Sequence, residues 1–282
     1  MGLFSRERIT GKSPEQLLLM RRAGLLTGET LAVLRDAVRP GMTTKQLDAL
    51  AEEHIRDGGG VPSFLGYHGF NGTICASVND EIVHGIPGSR VLREGDLLSI
   101  DCGAIVEGWH GDAAISLIVG GREAGRPEDL ALVDATEAAM WAGIAALRVG
   151  ASLYAVGAAV EDSIVATGAA HGRDYGIVED YVGHGIGTQM HMDPNVPNYR
   201  VDGKGPRVVD GTTIAIEPMV TLGEQDNRVL DDDWTVVTLD GSRAAHWENT
   251  VAATTRGLWV LTEVDGGEAR LGSLGAAYAP TS

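Results

Sequence analysis

The sequence predicts a domain of helices and β-strands whose two halves share one plan. Three observations lead to this prediction. The residues before Gly60 show helical periodicity with start and stop signals, and the residues after Val61 form short apolar runs separated by turns. A weak internal repeat also relates Glu94–Asp101 to Asp210–Glu217, which favours a pseudo-two-fold arrangement.

Two helices are predicted in the opening part of the chain. Residues 13–16, Ser-Pro-Glu-Gln, combine an N-cap serine, a proline at the first helical position and a glutamine three residues after the cap. Apolar residues then recur at helical spacing until Arg39-Pro40-Gly41 ends the helix. A second start signal, Thr43-Thr44-Lys45-Gln46, begins a helix that ends at the glycines of residues 58–60.

The rest of the chain alternates strands and helices. Short β-type runs begin at Val61, alanine-rich segments with helical spacing occupy about residues 126–147 and 152–168, and short strands return from Ile177. No low-complexity linker divides these segments, so we expect a single domain. The expected N-terminal tail, domain and C-terminal tail cover residues 1–12, 13–264 and 265–282.

Composition and charge exclude several classes of protein. The chain has 282 residues, is 44% hydrophobic and carries a net charge of -17. It therefore has enough apolar residues for a core but no overall basic face for stable nucleic-acid binding, although a transient ribosome contact through a local basic patch stays open. We see no apolar secretory segment and no run of about 18 apolar residues that would span a membrane. With only two cysteines, a cytoplasmic protein with reduced thiols is expected.

The internal repeat ends each time on a carboxylate. Both segments read acid, glycine, two variable residues, aliphatic, small, isoleucine, and then Asp101 or Glu217. The acid-glycine pair indicates a turn and the apolar run a buried strand, where a carboxylate is costly unless something pairs with it. Either segment alone would be explained by a strand end that reaches solvent. The shared pattern favours two halves that direct carboxylates at one central site.

Three further ionisable residues extend this set. Asp112 follows Asp101 at the spacing of a strand, a turn and a return strand. His184 lies in a glycine-rich segment, and Glu248 precedes an apolar run. Four carboxylates and one imidazole are typical of a site for Mn, Fe, Co or Zn, and their negative charge exceeds that of one divalent ion. We therefore expect two ions bridged by carboxylates and a hydroxide, a prediction that depends on the whole set because each residue alone would suit a structural role.

A series of motifs resembles the type I methionine aminopeptidases of peptidase family M24. The motifs occur in the family's order over about residues 13–262. They are Val78–Pro87, Asp101, Gly111-Asp112, Gly183–Gly187, His191, Ile216–Met219 and Trp234–Val236. The resemblance implies the pita-bread fold, an α+β domain with a pseudo-two-fold curved antiparallel sheet flanked by helices.

The resemblance also implies roles for individual residues. The implied metal ligands are Asp101, Asp112, His184, Glu217 and Glu248. The implied catalytic residues are Glu217, His191 and His84, of which the two histidines also contact the substrate. The implied methionine pocket, whose members would also suit an ordinary core, consists of Tyr67, Phe70, Cys75, Met190 and Trp234.

The activity implied by this resemblance is removal of the initiator methionine. The substrates would be nascent proteins and peptides with a small uncharged second residue, cleaved through a bridging hydroxide on a dinuclear metal site. Two divalent ions per chain are implied, whether Co, Mn, Fe or Zn, and a monomer is expected. The short spacing between His191 and Glu217 leaves no room for the helical insertion typical of type II enzymes.

Two alternatives stay open at this point. One is a Xaa-Pro aminopeptidase or prolidase of the same fold, and the other is a pita-bread protein that binds peptides without cleaving them. The sequence also departs from the family pattern at Met190, Met192, Asp233 and Asn249. None of these is an implied metal ligand, so the departures bear on the pocket rather than on the reaction.

Overall fold

A computed structural model describes residues 9–281 of the chain. Residues 1–8 of the predicted N-terminal tail, and Ser282, lie outside the described residues. The helices of the described part are α1 (Pro14–Ala37), α2 (Thr44–Asp57), α3 (Pro127–Ala146), α4 (Tyr154–Ala170) and α5 (Glu268–Ser273). None of them is long and apolar enough to cross a membrane.

Fifteen strands, all paired antiparallel, form three sheets within residues 9–281. They are β1 (Val61–Pro62), β2 (Ile74–Val78), β3 (Glu81–Val83), β4 (Leu97–Val106), β5 (Trp109–Ile118), β6 (Gly176–Ile177), β7 (Gly183–Gly185), β8 (Met192–Val196), β9 (Thr212–Ile216), β10 (Met219–Thr221), β11 (Asn227–Val229), β12 (Val236–Thr238), β13 (Ala244–His246), β14 (Glu248–Thr254) and β15 (Gly257–Val260). The largest sheet has the order β1-β4-β5-β14-β9-β7-β8, with β2 also paired to β4 and β15 to β14. The two smaller sheets have the orders β13-β10-β6 and β11-β12-β3.

The predicted helix signals are confirmed at the start of α1 and α2. Ser13 Oγ accepts a hydrogen bond from the Gln16 backbone, and the Gln16 side chain accepts one from the Ser13 backbone at 2.9 Å. Thr43 and Gln46 make the same reciprocal pair at the start of α2. These capping boxes satisfy backbone N–H groups that have no partner inside the helix. The helices predicted near residues 126–147 and 152–168 are α3 and α4.

Two hydrophobic cores give the domain its two halves. In the first half, α1 and α2 pack on β2, β4 and β5, and residues such as Leu34, Leu47 and Ile100 are fully buried. In the second half, α3 and α4 pack on β9 and β14, with Ile144 and Ile216 fully buried. Strand β14 pairs with β5 on one side and with β9 on the other, so it joins the halves into one sheet. This arrangement confirms the predicted pseudo-two-fold plan.

The residues after 264, predicted as a C-terminal tail, pack on the second half. They contain the short helix α5, whose Leu271 is fully buried in the core beneath α3. Tyr278 pairs with Leu258 of β15 through a β-bridge. These contacts continue the second core beyond β15.

Helix α1 packs close to the backbone of residues 261 and 262. A Cβ atom added to Gly24 would lie 2.4 Å from the Leu261 carbonyl oxygen, and one added to Gly28 would lie 2.0 Å from that of Thr262. Both distances are shorter than a side chain tolerates, and the obstructing atoms belong to backbone. Glycine at these positions is therefore what allows α1 to pack at this distance.

We expect Gly28→Ala to lower the free energy of unfolding by about 1–3 kcal/mol, because the added methyl group must push α1 away from Thr262. Urea unfolding monitored by circular dichroism measures the change. Gly272→Ala is the matched control, since a Cβ atom there has no neighbour within 4 Å and the residue lies in helix α5. Equal stability of the Gly28→Ala variant and the control would contradict this account of the contact.

Candidate metal centre and substrate pocket

Strand register brings three of the predicted metal ligands to one face of the large sheet. Ala114 of β5 lies opposite Asp101 of β4 on one side and opposite Glu248 of β14 on the other. Asp112 is two residues before Ala114 and therefore projects to the same face. The flanking residues Ile100 and Cys102 point into the first core instead. The alternation of side chains thus separates the carboxylates from the apolar packing.

The hairpin predicted between Asp101 and Asp112 is present. Strand β4 ends at Val106 and β5 begins at Trp109, so Glu107 and Gly108 form a two-residue turn. Both have positive φ, 51° and 81°, as the type I′ turn of a tight hairpin requires.

The other two predicted ligands come from the second half. Glu217 follows β9 directly, and β9 ends at Ile216 opposite Asn249 of β14. His184 lies in β7, which pairs with β9. Its Nε2 is 3.5 Å from Glu217 Oε1 and 4.0 Å from Asp112 Oδ2. All five predicted ligands therefore meet where the two halves of the sheet join.

The orientation of His184 exposes a lone pair to these carboxylates. Its Nδ1 lies 3.0 Å from the Gly185 carbonyl oxygen, which can only accept a hydrogen bond. Nδ1 must therefore carry the proton, and Nε2 is the free acceptor that faces Glu217 and Asp112. Burial lowers the pKa of His184 to about 4, so the ring is neutral near pH 7. A neutral imidazole with its second nitrogen fixed by a carbonyl is the usual form of a metal-binding histidine.

The buried carboxyl groups of this cluster are difficult to ionise when no cation is nearby. Burial raises the pKa of Asp101 to about 7. Burial, together with the charges of neighbouring carboxylates, raises the pKa values of Asp112, Glu217 and Glu248 well above their ordinary range. Groups of this kind ionise fully only when cations balance their charge.

Hydrogen bonding gives an independent test of whether the residues suit a metal. Eight buried side-chain polar atoms of residues 9–281 lack a hydrogen-bond partner. Four of them cluster here, namely Asp101 Oδ1, Asp112 Oδ1, His246 Nε2 and Glu248 Oε1. Buried polar atoms are rarely left unpaired, and carboxylate oxygens with imidazole nitrogens are ligands that divalent transition metals prefer. The donor set therefore fits divalent metal ions.

Two overlapping groups of ligand atoms are close enough to hold an ion. One consists of Asp112, His184 and Glu248, and the other of Glu217, His246 and Glu248; within each group all ligand atoms lie within 4.8 Å of one another. His246 was not predicted from the sequence. It lies two residues before Glu248, a spacing that would place both side chains on one face of a continuous strand. Because the strand is interrupted between them, the alternation of side chains does not identify His246.

A cavity of about 130 Å³ opens beside the carboxylates. Its lining includes all twelve predicted site residues, together with Phe64, which no sequence motif identifies. Phe64, Phe70, Cys75 and Met190 are buried and form a small apolar cluster of their own, flanked by Trp234. The cavity thus has a carboxylate side and an apolar side.

Two further histidines line the cavity outside the predicted metal-ligand set. His191 is exposed, and its Nδ1 shares a hydrogen bond of 2.8 Å with the Tyr67 hydroxyl. His84 has a positive φ of 59° and packs edge-on against Tyr181 and Trp234. Burial lowers the pKa of His84 to about 4, so this ring is neutral near pH 7. A non-glycine residue in the left-handed region is uncommon and is found preferentially at functional sites.

The departures from the family pattern lie around this centre rather than in it. Asn249 follows Glu248 and projects to the other face of β14, where it donates to Glu263 at 3.1 Å and accepts from Thr262 at 2.6 Å. Met190 belongs to the apolar wall of the cavity. Asp233 has a positive φ of 64°, in a turn where glycine would carry no strain.

Comparison with known proteins now defines the class. Residues 18–255 match metallopeptidase family M24. A crystal structure of methionine aminopeptidase from Thermotoga maritima superposes with a TM-score of 0.85 at 36% identity, over 91% of this chain and 100% of the other. Prolidase from Pyrococcus furiosus has a TM-score of 0.69 at 18% identity, over 91% of this chain and 66% of the other. The pita-bread fold is therefore confirmed, and the fold and centre are those of a metallopeptidase.

A more specific assignment follows from sequence similarity. Methionine aminopeptidase 1 of Mycobacterium tuberculosis is 51% identical over 261 residues, which is 92% of this chain and 97% of that protein. The chain belongs to the methionine aminopeptidases of metallopeptidase family M24. Its similarity to a prolidase, at 18% identity, extends to the fold alone.

Binding of Mn(II) or Co(II) at pH 6.5 is expected to release protons. Burial raises the pKa values of the four carboxyl groups, so the metal-free protein holds protons there that ions must displace. His184 contributes none, because its pKa of about 4 leaves it neutral already. Calorimetric titration in two buffers of different ionisation enthalpy counts the protons.

The same linkage has a defined sign for stability. Folded-state pKa values above the unfolded ones mean that these carboxyl groups destabilise the metal-free fold increasingly as the pH rises from about 4 towards their folded values.

In the proton-release measurement, the Asp112→Asn variant should release fewer protons than the unmodified chain. A binding enthalpy that is identical in both buffers would show that the carboxyl groups are already ionised.

Proposed function

We propose that this chain is a metalloaminopeptidase that removes the initiator methionine from nascent proteins and peptides whose second residue is small and uncharged. The observation that carries this proposal is the single cavity with ionisable ligands on one side and an apolar wall on the other. Such a cavity suits a substrate whose first side chain is apolar and unbranched and whose adjacent peptide bond is cleaved. The membership of the methionine aminopeptidases supports it.

The metal centre is proposed to hold two divalent ions per chain, with Co, Mn, Fe or Zn as candidates. The five implied ligands and their unpaired buried oxygens support this number, since four carboxylates exceed the charge of one ion. When bound, the ions would supply Lewis acidity, lowering the pKa of a water towards about 7 and polarising the scissile carbonyl group.

Glu217 is proposed as the general base and acid. It lies at the junction of the metal-ligand set and the cavity, and its side chain is 12% exposed. Burial and the charge of Asp101 raise the pKa of its carboxyl group in the metal-free protein. It would take a proton from the attacking water and transfer it to the leaving amine.

The two remaining histidines are proposed to bind the substrate's backbone. With the Tyr67 hydroxyl donating to Nδ1 of His191, Nε2 carries the proton and is free to donate to the oxyanion of the tetrahedral intermediate. The neutral ring of His84 would donate to the backbone beyond the cleaved bond. Tyr67, Phe70, Cys75, Met190 and Trp234 are proposed to surround the methionine side chain, with Phe64 beside them.

The setting proposed for this activity is the cytoplasm. The enzyme is proposed to be a monomer that acts on N-terminal methionine peptides and nascent chains. Any contact with the ribosome would be transient. The burial of Cys75 and Cys102 as free thiols supports a reducing compartment. The catalytic domain is proposed to cover residues 13–264, with residues 265–281 packed on its second half.

Hydrolysis of three peptides tests the activity directly. Met-Gly-Met-Met should release methionine when Mn(II) or Co(II) is added and should stop doing so with EDTA, whereas Ala-Gly-Met-Met should be cleaved little, because alanine leaves the apolar wall uncovered. Met-Pro-Gly separates the alternatives. Cleavage confined to peptides with proline second would favour the prolidase, and no release with any metal by folded protein would favour a non-cleaving peptide binder.

His191→Ala is expected to lower kcat by roughly 10²–10³, the usual effect of removing one oxyanion donor. His171→Ala is the matched control, because His171 is also exposed and also shares a hydrogen bond with a tyrosine, Tyr175, at 3.1 Å, but lies at the end of α4. Steady-state kinetics on Met-Gly-Met-Met measures both variants. A loss under tenfold for His191→Ala would remove it from the oxyanion role, and Glu217→Gln should abolish turnover.

A further inference from the structure

His246 is a buried histidine beside the metal centre, and it is not one of the five predicted ligands. It ends β13 and is 2% exposed. Its Nε2 is buried and has no hydrogen-bond partner in the described residues. An imidazole nitrogen left unpaired in a protein interior is costly, so its surroundings should contain what it binds.

The distance from His246 to Glu217 identifies the kind of partner. His246 Nε2 lies 3.8 Å from Glu217 Oε2, which is too long for a hydrogen bond. With metal–ligand bonds of about 2.1 Å, two ligand atoms on one ion lie roughly 3.0–4.2 Å apart, depending on the angle between them. The observed separation therefore suits two ligands of a common ion.

The two oxygens of Glu217 face two different imidazoles. Oε1 lies 3.5 Å from His184 Nε2, whereas Oε2 lies 3.8 Å from His246 Nε2. Glu248 belongs to both groups of ligand atoms, one with His184 and one with His246. The carboxylates of Glu217 and Glu248 thus lie between two nitrogen donors, as expected if each donor serves a different ion.

The backbone of His246 is held firmly in this position. Its N–H donates to Ser116 Oγ at 2.9 Å, and its carbonyl oxygen accepts from the same hydroxyl at 2.8 Å. It is also paired with Met219 of β10, two residues after Glu217. A ligand fixed by neighbouring strands loses little conformational entropy on binding an ion, which favours a preorganised site.

We propose that His246 is a sixth protein ligand of the metal centre, binding through Nε2 an ion that it shares with Glu217 and Glu248. This proposal rests on the proposed dinuclear site and adds a nitrogen donor to the ion that His184 does not contact. Each ion then has one imidazole. Imidazole favours Zn and Co over Mn, which prefers oxygen ligands, so His246 would bias the centre towards Zn or Co.

X-ray absorption spectroscopy of the Zn-loaded protein tests the proposal without any peptidase measurement. Imidazole rings produce characteristic multiple scattering, and the unmodified chain loaded with two ions should fit about one imidazole per ion, against about one half if only His184 binds. His246→Gln should lower the count to about one half. His84→Gln and His191→Gln, which remove the other histidines lining the cavity, should leave it unchanged.

Metal affinities provide a second readout. His246→Gln should raise the dissociation constant of the weaker-bound Zn(II) by at least about tenfold, the lower end of losses seen even for residues that only support a ligand, and that of Mn(II) by clearly less. Equal losses for both metals, or an unchanged imidazole count, would overturn the proposal and leave His246 as a residue that positions Glu217.

These outcomes separate the ligand proposal from the proposed function. If the unmodified chain shows one imidazole per ion but releases no methionine, the peptidase function fails and His246 remains a ligand. If methionine is released but the imidazole count is one half per ion, the peptidase function stands and the ligand proposal for His246 fails. If the His246→Gln variant does not fold, the counts for the unmodified chain, His84→Gln and His191→Gln together decide the question.

Discussion

The structure depends on the burial of four carboxyl groups beside two imidazoles at the seam of its largest sheet. Desolvation and mutual repulsion make this cluster unfavourable unless protons or cations balance it. The two apolar cores, one on each side of the seam, must therefore stabilise a centre that by itself opposes folding. Cation binding reverses the sign of the contribution, because the same oxygens then become ligands, and the affinity for ions becomes part of the stability of the fold.

Strand β14 shows how an ordinary sheet produces this seam. Glu248 and Asn249 are its first residues, and it pairs with β5 of the first half and β9 of the second. Alternation sends Glu248 to the centre, while Asn249 makes hydrogen bonds on the opposite face. A slip of one residue in this pairing would exchange the two side chains and remove a carboxyl group from the centre. The register of one strand therefore fixes both the union of the halves and the composition of the site.

Much of this arrangement follows from local sequence signals. Capping boxes located α1 and α2, and the repeat ending in Asp101 and Glu217 indicated two halves that meet at a centre, because a carboxylate ending an apolar strand needs a partner. Phe64 and His246 could not be found this way. Their positions depend on the packing of separate strands and loops, which no short-range pattern records, and the interruption between β13 and β14 hides the relation of His246 to Glu248.

The order of the chain has a consequence for its own synthesis. All the buried members of the first core precede residue 120, so the amino-terminal half is able to collapse while translation continues. Glu248 arrives much later, and the second core still lacks Leu271 until helix α5 has been made. Glu248 and Leu271 thus emerge from the ribosome well after the first core. A nascent chain of this kind therefore cannot complete its cluster of four carboxyl groups until Glu248 has been made, however early the first core has formed.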